Sequence, residues 1–124
     1  MKSNLFFIFI LSFSLIVYSC KPISPKQEVE ALRKKIVEHT DILNKAIEDK
    51  KITEQEAVEI ETAIIDLQKA FIQFDEKYKN DQDAQEIIQV YFKDNEVELE
   101  KIYEDYFISL MEVFNCEGSE KIIF

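Results

Sequence analysis

Residues 57 to 78 constrain this chain more than any other stretch. Ala57, Ile60, Ile64, Leu67, Phe71, Phe74 and Tyr78 recur in unbroken steps of three and four. Only a helix, at about 3.6 residues per turn, brings such positions to one side. The strict three-four rhythm is the a/d seam of helices packed lengthwise. Just upstream, Thr53-Glu54-Gln55-Glu56 has the form of a capping box, with Ile52 and Ala57 placed as a hydrophobic staple. A helix is therefore predicted from this cap to Tyr78, and its long apolar stripe must be covered by other helices.

The flanking segments supply them. Ser24-Pro25-Lys26-Gln27 is a second capping box with proline at the first helical position. After it, Val29, Leu32, Ile36, Leu43, Ala46 and Ile47 line one face, and the stripe ends before Asp49-Lys50-Lys51. On the other side, Asn80-Asp81-Gln82-Asp83 breaks the pattern with residues that favour turns and caps. Asp83 with Glu86 reads as a third cap. A further stripe follows at Ile88, Phe92, Asn95, Leu99, Ile102, Tyr106, Leu110 and Val113. Lys93-Asp94-Asn95-Glu96 offers a local break into two shorter helices, but the phase of the stripe is kept across Asn95, so one long helix with a kink allowed there is the preferred reading. Asn115 to Gly118 ends it, leaving a short tail. No segment alternates as a strand does. Short links between long helices make neighbours antiparallel. The expected fold is all-α: an antiparallel up-down-up three-helix bundle over residues 25–124.

The beginning of the chain speaks of location. Lys2 is followed by an apolar block from Leu5 to Tyr18, too short for a membrane span of about 20 residues and shaped like a secretory signal. The block ends in Val17-Tyr18-Ser19-Cys20: a branched apolar residue, a variable one, a small one, then cysteine. This resembles the lipobox of bacterial lipoproteins. The resemblance implies a signal peptide over residues 1–19, cleavage between Ser19 and Cys20, and acylation of Cys20. Two or more acyl chains meet the requirement for stable anchoring. Lys21 to Ser24, with Pro22, would be a tether, so that residues 20–24 form the lipidated cysteine and its link. Acylation would turn Cys20 into a thioether and leave Cys116 as a lone thiol, either buried or idle at the helix end or paired between chains.

Charge narrows the partners. Fifteen basic residues face 25 acidic ones, for a formal net charge of −10, and the signal holds one of the lysines. Phosphate contacts need Lys and Arg, so nucleic acid is not an expected partner. Nor is a domain lying on anionic lipid. A basic protein would suit the surface electrostatically.

Chemistry is not expected. The chain has one His, no Trp and a single Gly, so there is no phosphate-cradling loop. A nucleophilic triad would have to use His39, which sits at the edge of an apolar stripe and reads as a packing residue. One Cys and one His cannot build a zinc site. No Glu-x-x-His pair recommends a di-iron bundle. Asn80-Asp81-Gln82-Asp83 lacks the length and central glycine of a calcium loop. No enzyme activity, cofactor, metal or small-molecule substrate is expected.

What remains is surface. Val58, Ile65 and Ile72 repeat every seven residues, set off from the main seam by Glu61, Gln68 and Asp75. Phe107, Met111 and Phe114 make a similar ridge, with Ile108 further round. In a closed three-helix bundle such broad apolar faces are internal. Left exposed and rimmed by acids, they mark a protein-binding face. The size, lipobox, helicity and Lys- and Ile-biased composition are similar in outline to small spirochaetal surface lipoproteins that bind complement factor H. No motif supports that likeness, and no residues are carried over from it. It implies a surface-exposed, outer-membrane lipoprotein that captures a host serum protein in complement evasion. Two other readings stay open: a periplasmic immunity or inhibitor lipoprotein against a basic toxin or hydrolase, and an accessory of envelope assembly.

Overall fold

The computed structural model describes residues 23–123. Residues 17–20, with the cleavage site and Cys20, lie outside them, as does most of the tether. The described chain is all-helical: α1 (Pro25–Ile47), α2 (Glu54–Tyr78), α3 (Gln82–Asp94) and α4 (Glu96–Phe114), then a 3-10 turn at Ser119–Lys121. It holds no strand among the described residues, only an isolated bridge between Lys51 and Glu117.

Two helix starts follow directly from the capping sequences. Gln27 N donates to Ser24 Oγ at 3.2 Å, and Ser24 N donates back to Gln27 Oε1 at 3.1 Å. Glu56 N donates to Thr53 Oγ1 at 3.1 Å, and Thr53 N donates to Glu56 Oε2 at 2.9 Å. Each exchange satisfies two backbone donors that the first turn leaves without helical partners.

The third segment differs from expectation in three ways. Asp81, not Asp83, caps it, by accepting from Ala84 N at 3.0 Å. The single long helix is two helices, because Asn95 leaves helical geometry at φ −120° and ψ 20°. Its side-chain Nδ2 donates to Tyr91 O at 2.8 Å and so closes the end of α3. Such local side-chain bonds compete with helix continuation. The break also frees α3 to turn about its own axis. Tyr91 is buried in place of Phe92, and its hydroxyl accepts from Arg33 Nη1 at 3.2 Å.

α1 is the central element and touches all three other helices, α4 most extensively. Its partners along α2 run in reverse order: Glu28 pairs with Lys77, and Lys35 with Asp66 at 3.0 Å. Along α4 they run in the same order, from Arg33 with Glu98 to Asn44 with Ser109. No Cα of α2 comes within 8 Å of one in α4. Side chains bridge that gap and leave a cleft lined by Phe71, Phe74, Phe92, Leu99 and Tyr103 over Leu32.

The core forms two clusters. The larger gathers Ile36, Leu43, Ile60, Leu67, Tyr106 and Val113 around the middle and one end. The smaller gathers Val29, Tyr78, Ala84, Ile88, Tyr91 and Leu99 at the other. The first end is clasped by the tail. Ile52 N donates to Glu117 O at 2.7 Å, and Glu117 N donates to Lys50 O at 3.1 Å. The chain reverses beside the clasp through Gly118 at φ +88°, where a Cβ would stand 2.4 Å from the Ile52 carbonyl oxygen.

Candidate functional site: an exposed apolar strip on α2

Val58, Ile65 and Ile72 are 60%, 48% and 58% exposed. Residues seven apart on a helix drift by only ~20° per repeat, so the three share a face. At about 1.5 Å per residue the strip is roughly 21 Å long. The seam behind it is in the core: Ala57, Ile60, Ile64 and Leu67 are buried, and Tyr78 closes the row. The strip lies well round α2 from the seam that packs with α1 and α4 residues in the core, and it stays exposed. The expectation that a closed bundle would make it internal is not met.

The three polar neighbours behave differently from one another. Gln68 and Asp75 are exposed, and of the two only Asp75 brings a negative charge to the rim. Glu61 is half-buried, and its carboxylate accepts from the backbone N–H of Ile123. It ties the tail to α2. On the opposite flank, Asp66 accepts from Lys35 Nζ at 3.0 Å, and this bond holds its carboxyl below the usual carboxylate range. Thr62 Oγ1 donates to Val58 O at 2.7 Å along the strip's own backbone.

His39 is buried, with Nε2 3.4 Å from Asp66 Oδ2. Burial pushes its pKa down, against the opposing pull of Asp66. The ring is therefore neutral near neutral pH and packs between α1 and α2, rather than serving as one arm of a charged pair. Cys116 is half-buried and points back at Glu112 O, 3.3 Å away. Burial first, and then the nearby Asp49, push the thiol's pKa up. A thiol held protonated is a poor nucleophile. Among the described residues, no three His, Cys, Asp or Glu side chains gather as a metal site, and no helix is long and apolar enough to cross a membrane.

The ridge of Phe107, Met111 and Phe114 on α4 is also exposed, as is Ile108. Sequence reading missed a third apolar surface. Ile87 and Val90 on α3 are 47% and 59% exposed and line a groove with Lys26, Glu86, Tyr91 and Asp94. The signal was present: Ile87 and Val90 are three residues apart and share a face, about 100° round the helix from their buried neighbours Ile88 and Tyr91.

Compared with family models, with curated proteins and with solved structures, the chain matches none.

Proposed function

We propose that this chain is a lipid-anchored, protein-binding lipoprotein of the bacterial envelope, held in the outer membrane and facing outward. Cys20 carries the lipid. The helices form the three columns of an up-down-up rod, α3 and α4 together making the third. The strip of Val58, Ile65 and Ile72 is the contact face, with Gln68 and Asp75 beside it. The exposure of those three apolar residues on one helix face carries the reading. Singly exposed apolar residues need no explanation, but a row of them on one face marks an interaction site. The partner is a protein whose contact surface is basic, and a host serum protein such as complement factor H fits that description. Acidic groups at the rim speed encounter with such a partner more than they tighten the complex.

The test has two parts. Palmitate fed to growing cells should label the wild-type chain and not Cys20→Ser. Protease added to intact cells should remove the domain while a periplasmic control survives. Labelling that persists in Cys20→Ser overturns the anchor. A domain protected until the envelope is opened moves the reading to an immunity or inhibitor lipoprotein, whose basic target would lie in the periplasm.

A further inference from the structure

From the start of the described chain and the position of α3, we infer that the face of α3 bearing Ile87 and Val90 rests on the lipid bilayer. The inference builds on the anchor proposed above, but it concerns a different surface from the strip on α2.

Cys20 lies five residues before Pro25, the first residue of α1. A fully extended chain covers about 3.4 Å per residue, so α1 begins within about 17 Å of the lipidated sulfur. The sulfur itself sits where acyl chains meet headgroups. Whatever lies beside the first turn of α1 is thereby held at the membrane. The end of α2 lies there, through Lys77 on Glu28, and so does α3, because Lys26 in that turn lines one groove with Ile87 and Val90. Ile23 is exposed as well, three residues before Lys26 on the way to the anchor. The other end of the molecule, where the tail clasps Lys50 and Ile52, lies a full helix length away.

Exposed aliphatic residues at this end therefore have a specific cover. A face with Ile87 and Val90 at its centre can enter the interfacial region as amphipathic helices do. Glu86 and Asp94 flank the pair, with Lys26 among them. That mix of charges suits a zwitterionic surface and disfavours an anionic one. The consequence is orientation. The rod leans on the membrane through α3, while the ridge at Met111 stays clear of the bilayer.

The chain has no tryptophan, so one introduced residue is the sole indole emitter. Val90→Trp and, in a second protein, Met111→Trp both replace exposed side chains. Each full-length protein is isolated with its lipid and reconstituted into phosphatidylcholine vesicles whose acyl chains are brominated. Val90→Trp should co-float with the vesicles, shift its emission to the blue and be quenched several-fold more than Met111→Trp. Ile87→Trp repeats the measurement should Val90→Trp not fold. Co-flotation with equal quenching at the two positions overturns the resting face and leaves the anchor standing. Failure to co-float overturns the anchor, and the inference with it.

Discussion

The two ends of the molecule are closed by different kinds of bond. At the tail end a backbone pair leads: Ile52 and Glu117 share one hydrogen bond, and Glu117 and Lys50 another, with the Glu61 carboxylate on Ile123 N and Lys121 Nζ on the Ile52 carbonyl as side-chain additions. At the α3 end the ties come from side chains. Gln85 Nε2 donates to the carbonyls of Tyr78 at 3.0 Å and Lys79 at 2.7 Å. Asn95 holds the Tyr91 carbonyl, Arg33 holds the Tyr91 hydroxyl and Glu98, and Lys77 holds Glu28. Exposed ion pairs of this sort contribute little each. A backbone clasp fails as a unit when its geometry is denied. A set of side-chain ties loses one member at a time.

The contrast predicts unequal responses to a single methyl or a single truncation. Gly118→Ala should cost about 2–4 kcal/mol, because the left-handed backbone resists a Cβ and the Ile52 carbonyl must move aside. Urea unfolding followed by far-UV circular dichroism reads this as a lower midpoint. Amides of Ile52 and Glu117 should lose their protection from hydrogen exchange together. An unchanged midpoint would mean that the clasp contributes nothing to the fold.

The corresponding change at the other end is gentler. Asn95→Ala removes the side-chain bond to the Tyr91 carbonyl, yet Asn95 N already donates to the same oxygen at 3.1 Å. Alanine also favours helix, so the net loss should be about 0.5–1 kcal/mol. The same unfolding measurement decides it. A gain in stability would sharpen the comparison differently: the break would then belong to Asn95 alone, and the packing of Tyr91 would not require it.

These features were unequally legible in the sequence. The starts of α1 and α2 were readable because Ser24 with Gln27, and Thr53 with Glu56, act over three residues. The seam of α2 was readable because periodicity is local as well. The break at Asn95 was visible in the turn-prone Lys93-Asp94-Asn95-Glu96 but was outweighed, since Ile88 and Leu99 keep helical phase with one another on either side of it. Nothing nearby says that Tyr91, rather than Phe92, fills the core once α3 turns. The clasp leaves one trace, the single glycine, because backbone pairing between distant segments imposes no side-chain pattern. The strip on α2 was visible as a pattern but not as a surface. Seven-residue spacing is the same for a buried row and an open one, and only the packing of the other helices separates the two.

The smallest stability effect belongs to that strip, and it is the most informative about function. Changing Val58, Ile65 and Ile72 together to Ser removes apolar area that already faces water, so little burial is lost. Val, Ile and Ser also have similar helix propensities, which leaves the backbone of α2 nearly indifferent. Surface changes of this kind stay within about 0.5 kcal/mol each, against several for a buried aliphatic cut back in the seam. The triple variant should thus keep its helicity and melt within a few degrees of the parent, while losing affinity for a basic protein partner. A collapse on heating would mean that the strip is covered in solution, and so part of the core after all. Intact stability with intact binding would move the contact face to the ridge of Phe107 and Met111, which stands beside the clasped end on a different helix.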